Sequence, residues 1–450
     1  MKILVVGGGG SEHAIIMKLA ESPKVDKLYC TPGNGGISKY AECFDVAATD
    51  VEGVVALAEK LHPDMVVVAP DDPLVLGMVD ALQAKGFKTF GPKANPAIIE
   101  GAKVISKELM KKYNIPTAGY EVFTDSESAI KYIKEQNSYP TVIKADGLAL
   151  GKGVILAQNE DEAVAAVHEM IDELKFGKSS ARIVVEEFLT GPEVSVLSFT
   201  DVKTGVPMNS SMHHKRALDG DEGLNTGGMG TVAPNPYYTD DVAKQCMETI
   251  FKPTIEAMNA EGRTFEGCLY SGLMLTPKGP KVIEYNCRFG DPETQVVLPM
   301  LDADLCEIFE AIYDHKLADV DIKWKSGSCT CVVMASGGYP LSYPKGLEIS
   351  GLNEMGQVDG AFVYHAGTKL ADGKFLTNGG RVLGVTCTAL TLAEALKKSY
   401  AAVEKISWEN VHYRHDIGQR ALKADVDPLD LDYKDDMEDY IESNGVYLRQ

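Results

Sequence analysis

The apolar positions of the first hundred residues fall in short unbroken runs, each followed by glycine or proline. "MKILVVGGGGSEHAIIMKLAE" predicts a buried strand, a turn of four glycines, and a helix with apolar residues at helical spacing from Ala14 onward. "KLYCTPGNGG", "PDMVVVAPDDPLVLGMVDAL" and "KTFGP" repeat the strand-to-loop pattern, with helical stretches between them. Together they predict an open parallel α/β sheet over residues 1–102. Glycine amides at the head of a helix can receive an anion. The dinucleotide fingerprint is not met, because Glu12 or His13 stands where its third glycine belongs. A small phosphorylated ligand is therefore expected in preference to NAD.

From Lys103 the pattern changes. "AKVISKELMKKYN" and a stretch near Glu127 to Glu135 predict amphipathic helices, whereas "YPTVIKADGLALGKGVILA" reads as strand, glycine-rich loop, strand. That is a flap-like hairpin. It fails the Walker pattern, since Gly147 to Gly151 is one residue short and Gly153 replaces the Ser or Thr. Its glycines still let amides approach phosphate oxygens, with Lys144 and Lys152 supplying charge. "RIVVEEFLTGPEVSV" adds two strands and the acid pair Glu186 and Glu187, and "MHHKRALDGDEGLNTGGMG" is expected as a long loop. "GCLYSGLML" and "KVIEYNCRFGDPETQ" follow as neighbouring strands. Residues 103–325 thus form a second domain, with a flap lobe at about 120–190. Alternating segments over 326–424 predict a small, mostly antiparallel C-terminal domain, and residues 425–450 form a tail.

On the strand around Tyr285, Glu284, Asn286 and Arg288 share one face while Ile283, Tyr285, Cys287 and Phe289 share the other. Glu284 and Asn286 would sit about 7 Å apart, close enough for their oxygens to share one hard cation. Magnesium needs few protein oxygens beside a triphosphate, and Arg288 could grip an adjacent anion. The charged face then becomes the floor of an ATP-magnesium site.

Composition narrows the partners. The 450 residues, 45% of them hydrophobic, are too many for one core, and two to four domains are expected. A net charge of -21, to which nine acids against Lys434 and Arg449 in the tail contribute about -7, disfavours nucleic acid and anionic membrane surfaces. The nine cysteines form no CxxC pair, which suits reduced thiols in a cytosol. "ILVV" is too short for a signal segment, so a soluble intracellular protein is expected.

The set "VIKADGLALGKGV", "VVEEFL", "HKR", "NTGGMG", "GLML", "IEYNCRFGDPETQ" and "ASGGYP", in this order, resembles the ATP-grasp enzymes. With "GGGGSEHA" and "PGNGG" near the start, it resembles more narrowly the phosphoribosylamine-glycine ligase family, over residues 1 to about 420. The resemblance implies an α/β multidomain fold with a two-lobe ATP-grasp core, and an enzyme of purine synthesis. That enzyme joins glycine to 5-phosphoribosylamine through a glycyl phosphate, using ATP with Mg2+ or alternatively Mn2+. It implies no nucleic acid or membrane partner, and a cytoplasmic monomer or weak dimer. By the matching motifs, Lys103 and Lys144 would contact ATP phosphates under the hairpin amides that include Gly151, Lys152 and Gly153. Glu186, Glu187, Phe188 and Leu189 would hold the adenine edge, and Glu193 the ribose. Glu284 and Asn286 would ligate the metal. Arg288, Lys215, Lys144 and Asp291 would serve the chemistry. Gly9, Gly10, Asn34, His214, Lys215, Arg216, Gly227, Gly228 and Arg288 would bind the substrates. Ala69, Asp71, His213 and Leu224 depart from the family pattern, where Gly, Glu, Asp and Pro are usual. The rival readings are another carboxylate-amine ligase, a biotin-dependent carboxylase, and a nucleotide sensor without turnover.

Overall fold

A computed structural model describes residues 1–146 and 153–426. Gly151, Lys152 and nearly all of the acidic tail lie outside the described residues. The N-terminal strands form a five-stranded parallel sheet in the spatial order Glu42–Cys43, Lys27–Pro32, Lys2–Gly7, Met65–Val68, Thr89–Phe90. The sheet is buried on both faces: Ile3 and Val5 pack in one core, Leu4 and Val6 in another. Unbroken apolar runs are what such a doubly covered parallel sheet requires. The first helix, Gly10–Ala20, begins directly after the glycine turn.

Two antiparallel sheets follow. The flap lobe orders Tyr120–Phe123, Ile183–Glu187, Thr141–Ala145 and Val154–Ala157. The facing sheet orders Gly205–Pro207, Glu193–Thr200, Gly267–Thr276 and Gly279–Asn286. A small apolar cluster collects Val142, Val154 and Leu156 from the first with Met274 and Ile283 from the second, so the lobes meet over a shared apolar floor.

The stretch expected as a long loop is instead a β-hairpin. Met212–Leu218 pairs antiparallel with Glu222–Ala233, which in turn pairs with Ser328–Ala335 of the C-terminal sheet. Met212, Met229 and Val232 bury themselves against Val332 and Val385. Register shifts at His214–Arg216 and Arg216–Leu218, together with the interspersed glycines, interrupt the two-residue period by which strands are recognised.

Arg414 fastens this hairpin to the C-terminal domain. Its guanidinium, only 1% exposed, donates to Asp416 Oδ1 (2.8 Å) and Oδ2 (2.9 Å), to Asp221 Oδ1 (2.7 Å) and to the Arg216 carbonyl (3.3 Å). Burial alone would raise Asp416, but Arg414 outweighs it and holds the carboxyl down at about 2. A depressed carboxyl contributes stability above its unfolded pKa and loses it as pH falls through the folded one. Arg414→Met should therefore cost about 3 kcal/mol at pH 7 in urea unfolding. The deficit should shrink between roughly pH 4 and pH 2, as the abandoned carboxylates protonate. An unchanged midpoint at pH 7 would show that the guanidinium holds nothing in place.

Candidate active site

Strand Thr141–Ala145 ends beside strand Ile183–Glu187, and this register brings Lys144 and Glu186 together from adjacent strands. Lys144 Nζ lies 3.0 Å from Glu186 Oε2, and Lys107 Nζ lies 3.2 Å from the same oxygen. All three groups are buried. Lys107 also donates to Thr117 Oγ1 (2.8 Å), whose hydroxyl donates to the Val282 carbonyl (2.7 Å), tying the cluster to the strand that carries Glu284. Lys103 begins the helix that carries Lys107 one turn later, on the same face. Burial lowers Lys107 to about 8, against the pull of Glu186, and burial followed by repulsion from Lys144 lowers Lys103. Glu186 stays below its ordinary value because Lys107 and Lys144 outweigh its own desolvation. Two ammonium groups thus share one carboxylate, with a third close enough to feel its charge. Nearby Asp146 is already paired with Arg182 (2.7 Å to Nε) and the Val104 amide (3.0 Å).

Across the cleft, Glu284 is exposed on strand Gly279–Asn286 and makes no hydrogen bond or ion pair among the described residues. Its negative charge is felt by both Lys103 and Lys215. Gly272 stands opposite it in register, and a side chain there would come within 3.2 Å of the Glu284 Cγ. The Asn286 amide is assigned with its nitrogen toward Glu100 Oε1 (3.1 Å), the orientation that lets it donate there and turns its carbonyl oxygen away from Glu100. Among the described residues no three His, Cys, Asp or Glu side chains cluster as a metal cage. An unpaired carboxylate and a held carboxamide beside a phosphate-sized excess of positive charge fit magnesium that completes its shell with phosphates and water.

The strand differs from its expected alternation in two places. A bulge between Val282 and Glu284 places Ile283 in the lobe interface, apart from Tyr285 and Cys287. The strand ends at Asn286, so Arg288 sits in the following bend. There its Nη2 lies 3.2 Å from Glu100 Oε1 and its Nε 3.9 Å from Asp71, the residue that departs from the family's Glu.

Other expected residues sit as follows. Leu189 and Phe188 join the apolar cluster between the lobes, and Gly153 precedes its strand. Glu187 faces outward, accepting from the Gly119 amide (3.1 Å) and Lys281 (3.3 Å). Glu193 pairs with Lys215 at 3.2 Å, which holds the ammonium above its ordinary range despite burial. Arg216 donates to the Gly223 carbonyl. His214 is not available to a ligand: it is 2% exposed, with Nδ1 facing the Gly230 carbonyl (3.3 Å) and Nε2 accepting from the Gly418 amide (3.1 Å). Strand alternation turns it into the C-terminal core while Lys215 faces the other way. Asn34 likewise uses its carboxamide internally, donating to the Gly8 (2.9 Å) and His365 (2.7 Å) carbonyls and accepting from the Ile37 amide (2.9 Å). Gly9 donates to Glu12 Oε2 (2.7 Å), and the Ser11 amide, next to Gly10, donates to Asp291 Oδ2 (3.2 Å). The Gly227 amide donates to Tyr339 Oη (3.0 Å), and that of Gly228 to Thr226 Oγ1 (2.9 Å).

Sequence reasoning missed Lys107, Glu100, Tyr339 and Arg381. Lys107 carried a signal, lying four residues from Lys103 in a helix. The others come from distant segments with no shared motif.

The phosphoribosylglycinamide synthetase models match residues 1–100 (N domain), 101–294 (ATP-grasp (A) domain) and 329–420 (C domain). A phosphoribosylamine-glycine ligase of Caldanaerobacter subterraneus is 46% identical over 93% of this chain and 99% of its own length. The crystal structure of the phosphoribosylamine-glycine ligase of Thermotoga maritima aligns with TM-score 0.79 at 31% identity, covering 92% of this chain and 100% of that one. The biotin carboxylase domain of a Hydrogenobacter thermophilus 2-oxoglutarate carboxylase, solved with MgADP and bicarbonate, aligns at 0.71 with 17% identity, a likeness of fold. It covers 100% of this chain and 99% of that one.

A polyphosphate entering the cluster should return Lys107 toward its ordinary pKa, so MgADP binding at pH 8 should take up protons. Calorimetry in buffers of different ionisation enthalpy measures this, and the uptake should fall in Lys107→Met. Proton-neutral binding by the native chain would contradict the charge arrangement.

Proposed function

The chain belongs to the phosphoribosylglycinamide synthetase family, and from that premise we propose that it ligates glycine to 5-phosphoribosylamine, converting ATP to ADP and phosphate. The observation that carries the reading is the pairing of an ammonium cluster with a Glu284 that has no partner among the described residues, across one cleft. A carboxylate is a poor electrophile. The glycine carboxylate oxygen therefore attacks the γ-phosphorus, releasing ADP and forming a glycyl phosphate. The ribosyl amine then attacks the acyl carbon, phosphate leaves with the bonding pair, and the nitrogen gives up a proton. No enzyme nucleophile enters. Catalysis rests on positioning and on neutralising charge in the transferring phosphoryl group.

Lys144 and Lys103, with the hairpin segment that includes Gly151, Lys152 and Gly153, hold the polyphosphate. Lys107 keeps Glu186 and Lys144 in register. The apolar floor with Phe188 and Leu189 receives the base, and Glu193 the ribose. Glu284 and Asn286 hold magnesium, or manganese in its place, which when bound neutralises phosphate charge. Lys215, Arg216 and Arg288 face the anionic groups, and Asp291 is placed to accept the amine. The division into units at 1–102, 103–325 and 326–424 is supported by the spans of the three family models. The net charge of -21 and the free cysteines support a cytoplasmic enzyme, and the family resemblance a monomer or weak dimer. Among the described residues no helix is long and apolar enough to cross a membrane.

Glycine together with freshly prepared phosphoribosylamine should release ADP from ATP, and other amino acids should not. Silence with every amine would favour a nucleotide sensor. Glu284→Ala should lower kcat by on the order of 10²-fold, the usual worth of one preorganised electrostatic partner. Near-normal turnover at saturating magnesium would remove Glu284 from the site.

A further inference from the structure

Arg381 opens the strand Arg381–Ala389 of the C-terminal domain, far in sequence from every other residue of the cleft. Its Nη1 donates to the Gly227 carbonyl (2.7 Å) and the Asp291 carbonyl (3.1 Å), and lies 3.4 Å from Asp291 Oδ1. The guanidinium lies against the backbone of Gly227: a Cβ there would come within 2.9 Å of Cζ and Nη2 and 3.2 Å of Nε. A larger residue at 227 would have to push the guanidinium aside. Asp291 is itself tied to the head of the first helix through the Ser11 amide, so all three domains converge on one residue. One guanidinium corner is fixed by three acceptors, while Nε and Nη2 donate to no group among the described residues and the side chain stays 24% exposed. An anchored arginine with its two-nitrogen edge unused is preorganised for a bidentate oxyanion.

We infer that Arg381 is a substrate-binding residue whose Nε–Nη2 edge takes the phosphate of the amine substrate, while Nη1 fixes Asp291 and the Gly227 loop beside it. The inference rests on the ligase reading above for the identity of that substrate. It gives the C-terminal domain a direct part in choosing a phosphorylated amine.

The discriminating quantity is the ratio of kcat/KM for phosphoribosylamine to that for ribosylamine, which lacks the phosphate. In Arg381→Gln this ratio should fall roughly 10- to 100-fold, the worth of a charge-assisted pair. The KM values for ATP and glycine should stay within about twofold, and Arg381→Lys should recover part of the ratio. A purely structural arginine would lower all parameters together and leave the ratio unchanged, and that result would overturn the inference. Calorimetric binding of ribose 5-phosphate needs no turnover and separates the two readings. If the native chain ligates no amine yet binds ribose 5-phosphate and Arg381→Gln does not, the ligase reading fails and the phosphate site stands. Equal binding by both chains refutes the site.

Discussion

Glu186 offers one buried carboxylate oxygen to two ammonium groups, with a third lysine, Lys103, lowered by burial and then by the charge of Lys144. Buried charge is tolerable only when compensated, and here compensation is incomplete by design of the neighbours: Asp146 is occupied by Arg182, and Glu284 stands across the cleft. A polyanion would fill the shortfall. The same contacts tie the lobes mechanically, because Lys107 reaches Thr117 and Thr117 reaches the strand of Glu284. Phosphate and metal bound as proposed would therefore address one connected set of hydrogen bonds.

The glycine turns of the N-terminal domain serve this arrangement from the outside. Asn34 and the Gly35 amide reach the His365 and Thr368 carbonyls, and His13 accepts from the His365 amide (2.7 Å) while fully buried. These bonds dock the first domain against the C-terminal one. With the relative position of the two fixed, Ser11 and Arg381 can hold Asp291 from opposite sides. Substrate contacts in that region fall to groups these bonds leave unused.

Much of this was legible in the chain. The parallel sheet could be read because strands buried on both faces must be continuously apolar, and the Glu284–Asn286 pair because strand geometry puts alternate residues on one side. Arg288 was misplaced because nothing local marks where the strand stops. His214 and Lys215 are adjacent and both basic, yet one is core and the other faces the site. Only the pairing of their strand with the C-terminal sheet decides which. Asn34, Glu100 and Arg381 act through contacts between distant segments, to which spacing along the chain is blind. The double use of Glu186 is of the same kind: its motif suggested an adenine contact, and the register of two neighbouring strands with a helix also sets its carboxylate against two lysines.

The most direct test is a crystal structure of the chain with magnesium and a non-hydrolysable ATP analogue. Phosphate oxygens are expected against Lys103 and Lys144, with Glu284 and the Asn286 carbonyl oxygen holding the metal and Lys107 still on Glu186. Phosphates bound elsewhere, with the Glu284 carboxylate still in bulk water, would contradict it.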